Sequence, residues 1–304
     1  MSRKYSHVIV IGVDGAGSWI KDADTPNFDR IFRNGAFTHK ALSSNPTISA
    51  ECWGSMLIGT GPEIHKLTNS IVSSVPYDVT SPFPSLFRRI REAFPDAVLG
   101  SYCDWNPITY GIVENNIGVS HATANDTELT PIVCDYIIKN KPDFLFIHFD
   151  SVDGAGHGSG YGLPAFIKRI HEVDELINDV YSAVEKAEMI EDTLFIVIAD
   201  HGGTNDENCK GSHGGWTDVE KYVTFAAIGK GINNTEIEEM NIRDLAAIVL
   251  YALGIKSPDF DENGWTSQIP EGLFADYQGN YRDISHLTGA APRISKKHHE
   301  SELV

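Results

Sequence analysis

No run in this 304-residue chain approaches the roughly 18 consecutive apolar side chains that suggest a membrane-crossing helix, and Met1–His7, ahead of the first apolar run, carries no export signal. Neither membrane insertion nor secretion is signalled, and a cytoplasmic location is expected. Cysteine is scarce and unpaired in pattern: Cys52, Cys103, Cys134 and Cys209 lie far apart without a CxxC spacing, which suits reduced thiols better than a disulfide framework. The glycosylation-type triplets at Asn125 and Asn233 then carry no meaning. Positive charge is also short. Lys and Arg number 24 against 42 Asp and Glu, a formal charge of −18, so a generic electrostatic grip on a nucleic-acid duplex is not expected. Bound divalent cations would still make a site locally positive. Internal repeats and low-complexity linkers are absent.

What is present is enough apolar content, 41%, to bury one large core. His7–Val13, 97–102, 143–149, Thr193–Ala199 and Tyr222–Ile228 read as strands, and most are apolar almost throughout, as strands covered on both faces are. Helical patterns at 25–33, 50–57, 84–93, 128–139, 164–188 and 242–253 alternate with them. The predicted fold class is α/β, a mostly parallel central sheet sandwiched by helices. One catalytic domain over residues 1–292 is expected, followed by a polar tail at 293–304. The helix at 25–33 follows Asp24-Thr25-Pro26, an acceptor side chain and then an early proline, as at a capped helix start.

Metal-type ligands recur where strands end. Asp14 closes the first strand in a Gly-rich turn, Gly12 to Gly17. A dinucleotide-binding turn would need glycine at its third position; here that position is Asp14, which would repel a pyrophosphate unless it held a cation. Asp153 and His157 stand four apart in a glycine-rich segment after the strand ending at Phe149, with Asp150 as an alternative ligand to Asp153. Asp200 and His201 are adjacent past another buried strand, and His213 follows between glycines. Burying Asp200 beside an imidazole in an apolar region costs several kcal/mol, roughly, unless a partner such as a cation compensates. For a nucleophile, Pro46-Thr47-Ile48-Ser49 precedes an apolar helix, whose N-terminus favours phosphate. Ser49 and Thr47 are both candidates, and either could be a plain helix cap.

Together, Asp14, the Pro46-to-Ser49 turn with Gly59, Pro62 and His65 downstream, Asp153 with His157, Asp200-His201-Gly202, His213 and the stretch Thr25-Pro-Asn-Phe-Asp29 resemble the alkaline phosphatase superfamily. The type I phosphodiesterase/nucleotide pyrophosphatase branch is the nearest in pattern, over roughly residues 7–230. The resemblance implies one zinc on Asp153, His157 and His213, a second on Asp14, Asp200 and His201, Ser49 as nucleophile, and Asn69 as amide donor to a phosphoryl oxygen. Mixed N/O sites also accept manganese or iron. Two departures stand out: His65-Lys66-Leu67 replaces a usual His-Gly-hydrophobic, and Cys52-Trp53 replaces an Asn-His. Both put leaving-group specificity, more than metal binding, in question. No Cys/Ser-x-Pro-x-Arg surrounds Ser49, which argues against sulfatase activity.

The expected activity is cleavage of phosphodiester or nucleotide pyrophosphate bonds in a small-molecule phosphate ester or nucleotide, through a phosphoseryl intermediate, with no membrane partner. Phosphomonoesterase, phosphonate hydrolase, phosphotransferase and non-catalytic metal-binding readings stand as alternatives. Trp53, Trp105, Tyr110 and Trp216 are candidates for a wall on which a flat leaving group stacks.

Overall fold

The computed structural model describes residues 2–282; the tail expected at 293–304 lies outside them. Strands β1 (His7–Val13), β2 (Ala36–Leu42), β3 (Leu99–Cys103), β4 (Val119–Ala122), β5 (Phe144–Phe149) and β6 (Thr193–Ala199) are followed by the short pair β7 (Thr204–Asn205) and β8 (Gly211–Ser212), then β9 (Tyr222–Ile228) and β10 (Thr235–Glu236). All except β7 and β8 form one sheet in the order β10-β2-β9-β6-β1-β5-β3-β4. The block from β6 to β4 is parallel, while β9 runs antiparallel to both of its neighbours. The apolar runs of β1, β5 and β6 are buried because helices cover both faces of the sheet.

The helices are α1 (Pro26–Phe32), α2 (Ser49–Ile58), α3 (Pro62–His65), α4 (Asn69–Ser74), α5 (Leu86–Ala93), α6 (Pro107–Gly111), α7 (Asp126–Asn140), α8 (Ser151–Ser159), α9 (Pro164–Lys186), α10 (Asp218–Lys221) and α11 (Asp244–Ala252). One face of the sheet receives α1 and α9: Phe32 and Tyr181 pack on Phe195, which sits level with Ile9. The other face receives α2, whose Trp53 packs on Phe146, level with Val10. Every residue of α2 is buried, so this helix has no solvent face and lies between the sheet and an outer set that includes α11, α4 and α6.

Two strands escape sequence reading for physical reasons. The β2 run Ala36–Leu42 mixes buried and exposed residues around a register irregularity, so neither a strict alternation nor an apolar run is visible. The edge strand β4 is short and half exposed. The start of α1 also differs from expectation. The Thr25 side chain makes no capping bond; the carboxylate of Asp174, on α9, accepts the backbone N–H groups of Asn27 (2.9 Å) and Phe28 (2.7 Å).

The sheet register positions the site. Val13 lies beside Phe149 on one side and Ala199 on the other, so the three residues that follow, Asp14, Asp150 and Asp200, emerge at one level from the carboxyl edge of three adjacent strands. In open α/β sheets this is the edge where ligands bind.

Candidate active site

Asp14 and Asp200 are each 0–1% exposed, and each has one oxygen saturated and one orphaned. Asp200 Oδ1 accepts the backbone N–H of Gly15 (3.0 Å) and of His201 (2.7 Å). Asp14 Oδ2 lies 2.9 Å from both Trp53 Nε1 and His148 Nε2. The remaining oxygens, Asp14 Oδ1 and Asp200 Oδ2, are buried without a hydrogen-bond partner among the described residues. His201 Nε2 stands 3.4 Å from the first and 3.3 Å from the second. Ligands held at 2.0–2.1 Å in tetrahedral geometry stand about 3.3–3.4 Å apart, so His201 Nε2 stands from each orphaned oxygen at the separation of two atoms that can share a metal ion.

The second group is built on α8, where positions four apart share a face. His157 Nε2 lies 3.2 Å from Asp153 Oδ2 and 3.2 Å from His213 Nε2. The hydroxyl of Tyr161 donates to Asp153 Oδ1 at 2.5 Å, leaving Oδ2 toward His157, while His213 Nε2 stands 4.0 Å from Oδ1. Glycine is required where β8 crosses α8: a Cβ at Gly211 would lie 2.0 Å from the Gly156 carbonyl oxygen. In all three histidines Nδ1 faces a backbone carbonyl, His157 to Gly211 (3.1 Å), His201 to Gly202 (3.0 Å) and His213 to Thr47 (2.7 Å). Donation from Nδ1 leaves the Nε2 lone pair for a metal. The two groups abut, with the rings of His201 and His213 stacked at 3.9 Å. Both sets can hold a metal ion by composition and spacing.

Asp150 does not join His157 and His213. It groups instead with Asp14 and His148, and Asp153 is the carboxylate that meets the two histidines. Burial, and then the charge of Asp14, push the Asp150 carboxyl up to about 7. Burial and the same neighbour raise Asp200 well above the carboxylate range. Burial also opposes ionisation of Asp153, but its bond to His157 and the nearby His201 and His213 hold it low. The bond to Asp153 in turn pushes His157 up to about 9. Four carboxylates crowded on one edge without a Lys or Arg side-chain partner among the described residues are electrostatically unfavourable unless positive charge is added.

Neither hydroxyl caps α2. Ile48 occupies the cap position, and Ser49 is the first helical residue. Thr47 Oγ1 donates to the Gly215 carbonyl (2.9 Å) and accepts the Gly214 N–H (2.9 Å), so it splints the loop carrying His213. Ser49 Oγ faces the candidate metal-holding groups, 3.3 Å from His201 Nε2. Asn69 Oδ1 accepts the Ala50 N–H (2.9 Å), which commits its oxygen to the backbone beside Ser49 and leaves its amide nitrogen as a donor. Trp53 is fully buried against Phe146 and His148 and takes no part in a stacking wall, whereas Trp105, Tyr110 and Trp216 keep solvent exposure. Sequence reading missed His148 and Tyr161. The only signal for His148 was one imidazole inside an otherwise apolar strand.

Comparison with known proteins gives a family and a fold. The family description "Type I phosphodiesterase / nucleotide pyrophosphatase" matches residues 8–81 and 68–258. GPI ethanolamine phosphate transferase 2 of Aspergillus fumigatus is 24% identical over 222 residues, covering 70% of this chain and 28% of that protein. The catalytic subunit of mouse GPI ethanolamine phosphate transferase 3 is 35% identical over 168 residues, 53% of this chain and 14% of that one. The chain therefore spans less than a third of the length of these relatives. Murine ectonucleotide pyrophosphatase/phosphodiesterase 5 superposes with a TM-score of 0.68 at 15% identity, covering 84% of this chain and 97% of that one. The 2-O GAG sulfatase BT1596 gives the same TM-score and identity over 96% of this chain and 76% of its own. The chain belongs to the type I phosphodiesterase/nucleotide pyrophosphatase family.

Proposed function

We propose that the protein cleaves phosphodiester or nucleotide pyrophosphate bonds by in-line attack of Ser49 Oγ on phosphorus. The observation that carries this reading is a serine at the first turn of α2, 3.3 Å from His201 Nε2 and beside two ligand triads. Asp153, His157 and His213 would hold one divalent ion and Asp14, Asp200 and His201 the other, with zinc favoured by the three histidines and manganese or iron also accepted. When bound, such ions lower the pKa of a nearby hydroxyl and neutralise charge on a transferring phosphoryl group.

The chain's own residues supply the rest. As the bond from Ser49 Oγ to phosphorus forms, its hydroxyl proton is given up to solvent and the bond to the leaving oxygen breaks, the leaving oxygen taking a proton from water. The Asn69 amide nitrogen donates to a non-bridging oxygen, and the N-terminus of α2 presents its dipole to the anion. Water then attacks phosphorus and Ser49 Oγ departs, releasing the product. None of the side-chain hydrogen bonds or ion pairs of these eight residues engages Lys or Arg among the described residues, so nothing there clamps the second negative charge of a monoester. This favours a diester. An inactive form of murine ectonucleotide pyrophosphatase/phosphodiesterase 5 in complex with AMP supports a nucleotide as one leaving or transferred group, with Trp105, Tyr110 or Trp216 as stacking partners.

A second reading differs only in the acceptor. The relatives named ethanolamine phosphate transferases favour an alcohol in place of water in the second step. The test is hydrolysis of bis-p-nitrophenyl phosphate against p-nitrophenyl phosphate, with zinc or manganese, in wild type and Ser49→Ala. Preference for the diester and a loss of about a thousandfold or more in Ser49→Ala are expected. Acid-quenched protein will carry the phosphoryl group on Ser49, and an added primary alcohol will divert product if transfer is the activity. Full turnover by Ser49→Ala, or label on Thr47, would overturn the assignment. A single catalytic domain over residues 1–292 and a cytoplasmic location belong to the same proposal, checked by limited proteolysis and cell fractionation. Among the described residues no helix is long and apolar enough to cross a membrane.

A further inference from the structure

We propose that Trp53 and His148 act as an orienting clamp on Asp14, selecting which carboxylate oxygen faces the Asp14–Asp200–His201 site and so setting that site's metal affinity. The inference rests on the metal-binding reading above. Trp53 Nε1 and His148 Nε2 both lie 2.9 Å from the same oxygen, Asp14 Oδ2. Two donors fill the two lone pairs of that oxygen, so only Oδ1 remains to ligate. Oδ1 is the buried, unpartnered atom that stands 3.4 Å from His201 Nε2.

Both donors are immobilised by packing. The indole meets the imidazole edge-on, with centroids 5.1 Å apart at 83°, and meets Phe146 at 5.6 Å and 69°. A Cβ at Gly12 would lie 2.4 Å from the indole, so the ring is seated directly on the β1 backbone and has no room to swing. His148 is fixed from beneath because it lies inside β5, paired to Gly12 and Cys103. Trp53 stands at a position where the family resemblance leads one to expect histidine, in the pair Cys52-Trp53. Trp53 and His148 are positioning residues, since neither reaches the substrate or the free oxygen.

The test is zinc affinity of the full chain, measured by competition with a chromogenic chelator and independent of turnover. Trp53→Phe keeps the apolar ring and removes only the N–H. One of the two zinc equivalents should weaken by roughly 10-fold or more, the usual consequence of losing a group that orients a ligand, while the other is unchanged. His148→Leu should weaken the same equivalent. His148→Gln, which returns a donor near the Nε2 position, should recover most of it. Wild-type affinity at both equivalents in Trp53→Phe and His148→Leu overturns the clamp and leaves the Ser49 reading intact. A wild-type chain that binds no divalent metal at all overturns the clamp together with the two-metal reading.

Discussion

Asp153 and His157 show how a single pair couples local geometry to protonation. The two side chains meet because they stand four residues apart on α8, and the bond to Asp153 pushes His157 up to about 9 against the opposing effect of burial. A raised folded-state pKa means the folded chain holds this proton more tightly than the unfolded one. The contribution is fully present below the ordinary imidazole value, about 6.5, and is lost as pH rises through about 9. In metal-free protein, an NMR titration of His157 should therefore give a midpoint near 9, and Asp153→Asn should return it toward the ordinary range. An ordinary midpoint in the wild type would remove the pair. The same proton competes with metal, so occupancy of the Asp153–His157–His213 site should fall as pH drops below about 9. At this scale much was legible in the chain, because Asp and His immediately past an apolar strand are chemically conspicuous. His148 was not, because strand propensity and burial absorb a lone imidazole; only its 2.9 Å contact with Asp14 gives it a role.

At the scale of elements, α1 depends on α9. Its first backbone N–H groups are satisfied by Asp174, 146 and 147 residues away in sequence, and not by the adjacent Thr25. Asp174→Ala would leave those donors unpaired in a half-buried crevice. It should lower stability by about 1 kcal/mol, within the roughly 0.5–2 kcal/mol range of lost helix caps. In urea the midpoint should fall with an unchanged slope, and Asp174→Asn, whose amide offers one acceptor oxygen where the carboxylate offers two, should recover only part of the loss; an unchanged midpoint in Asp174→Ala would show that water satisfies the helix equally well. Elements with one uninterrupted signal were readable: the buried runs of β1, β5 and β6, and the 23-residue stripe of α9. Elements whose stability is borrowed from neighbours, such as β2 and the short α3, α4 and α6, carry too little local pattern to be seen.

At the scale of the molecule, the candidate site ties together segments around residues 14, 153–157, 200–201 and 213. A ligand that binds only the folded arrangement stabilises it by mass action, about 2.7 kcal/mol per site when free metal is a hundred times its dissociation constant. Chelation should lower the thermal midpoint and added zinc should restore it; a midpoint indifferent to both would place no metal in the folded centre. The net charge of −18 gives this effect added weight, because the carboxylates at the sheet edge have no Lys or Arg partner among the described residues. Sequence by itself determined that apolar strands alternate with helices and that Asp and His stand at strand ends, since burial and periodicity are properties of neighbouring residues. Only the tertiary structure decided that Ser49 faces the candidate metal-holding groups while Thr47 splints a loop, that Asp153 and not Asp150 meets His157, and which oxygen of Asp14 is left free. Those outcomes depend on register between strands more than 100 residues apart and on side chains packed from opposite layers, where a shift of one residue turns a side chain to the other face.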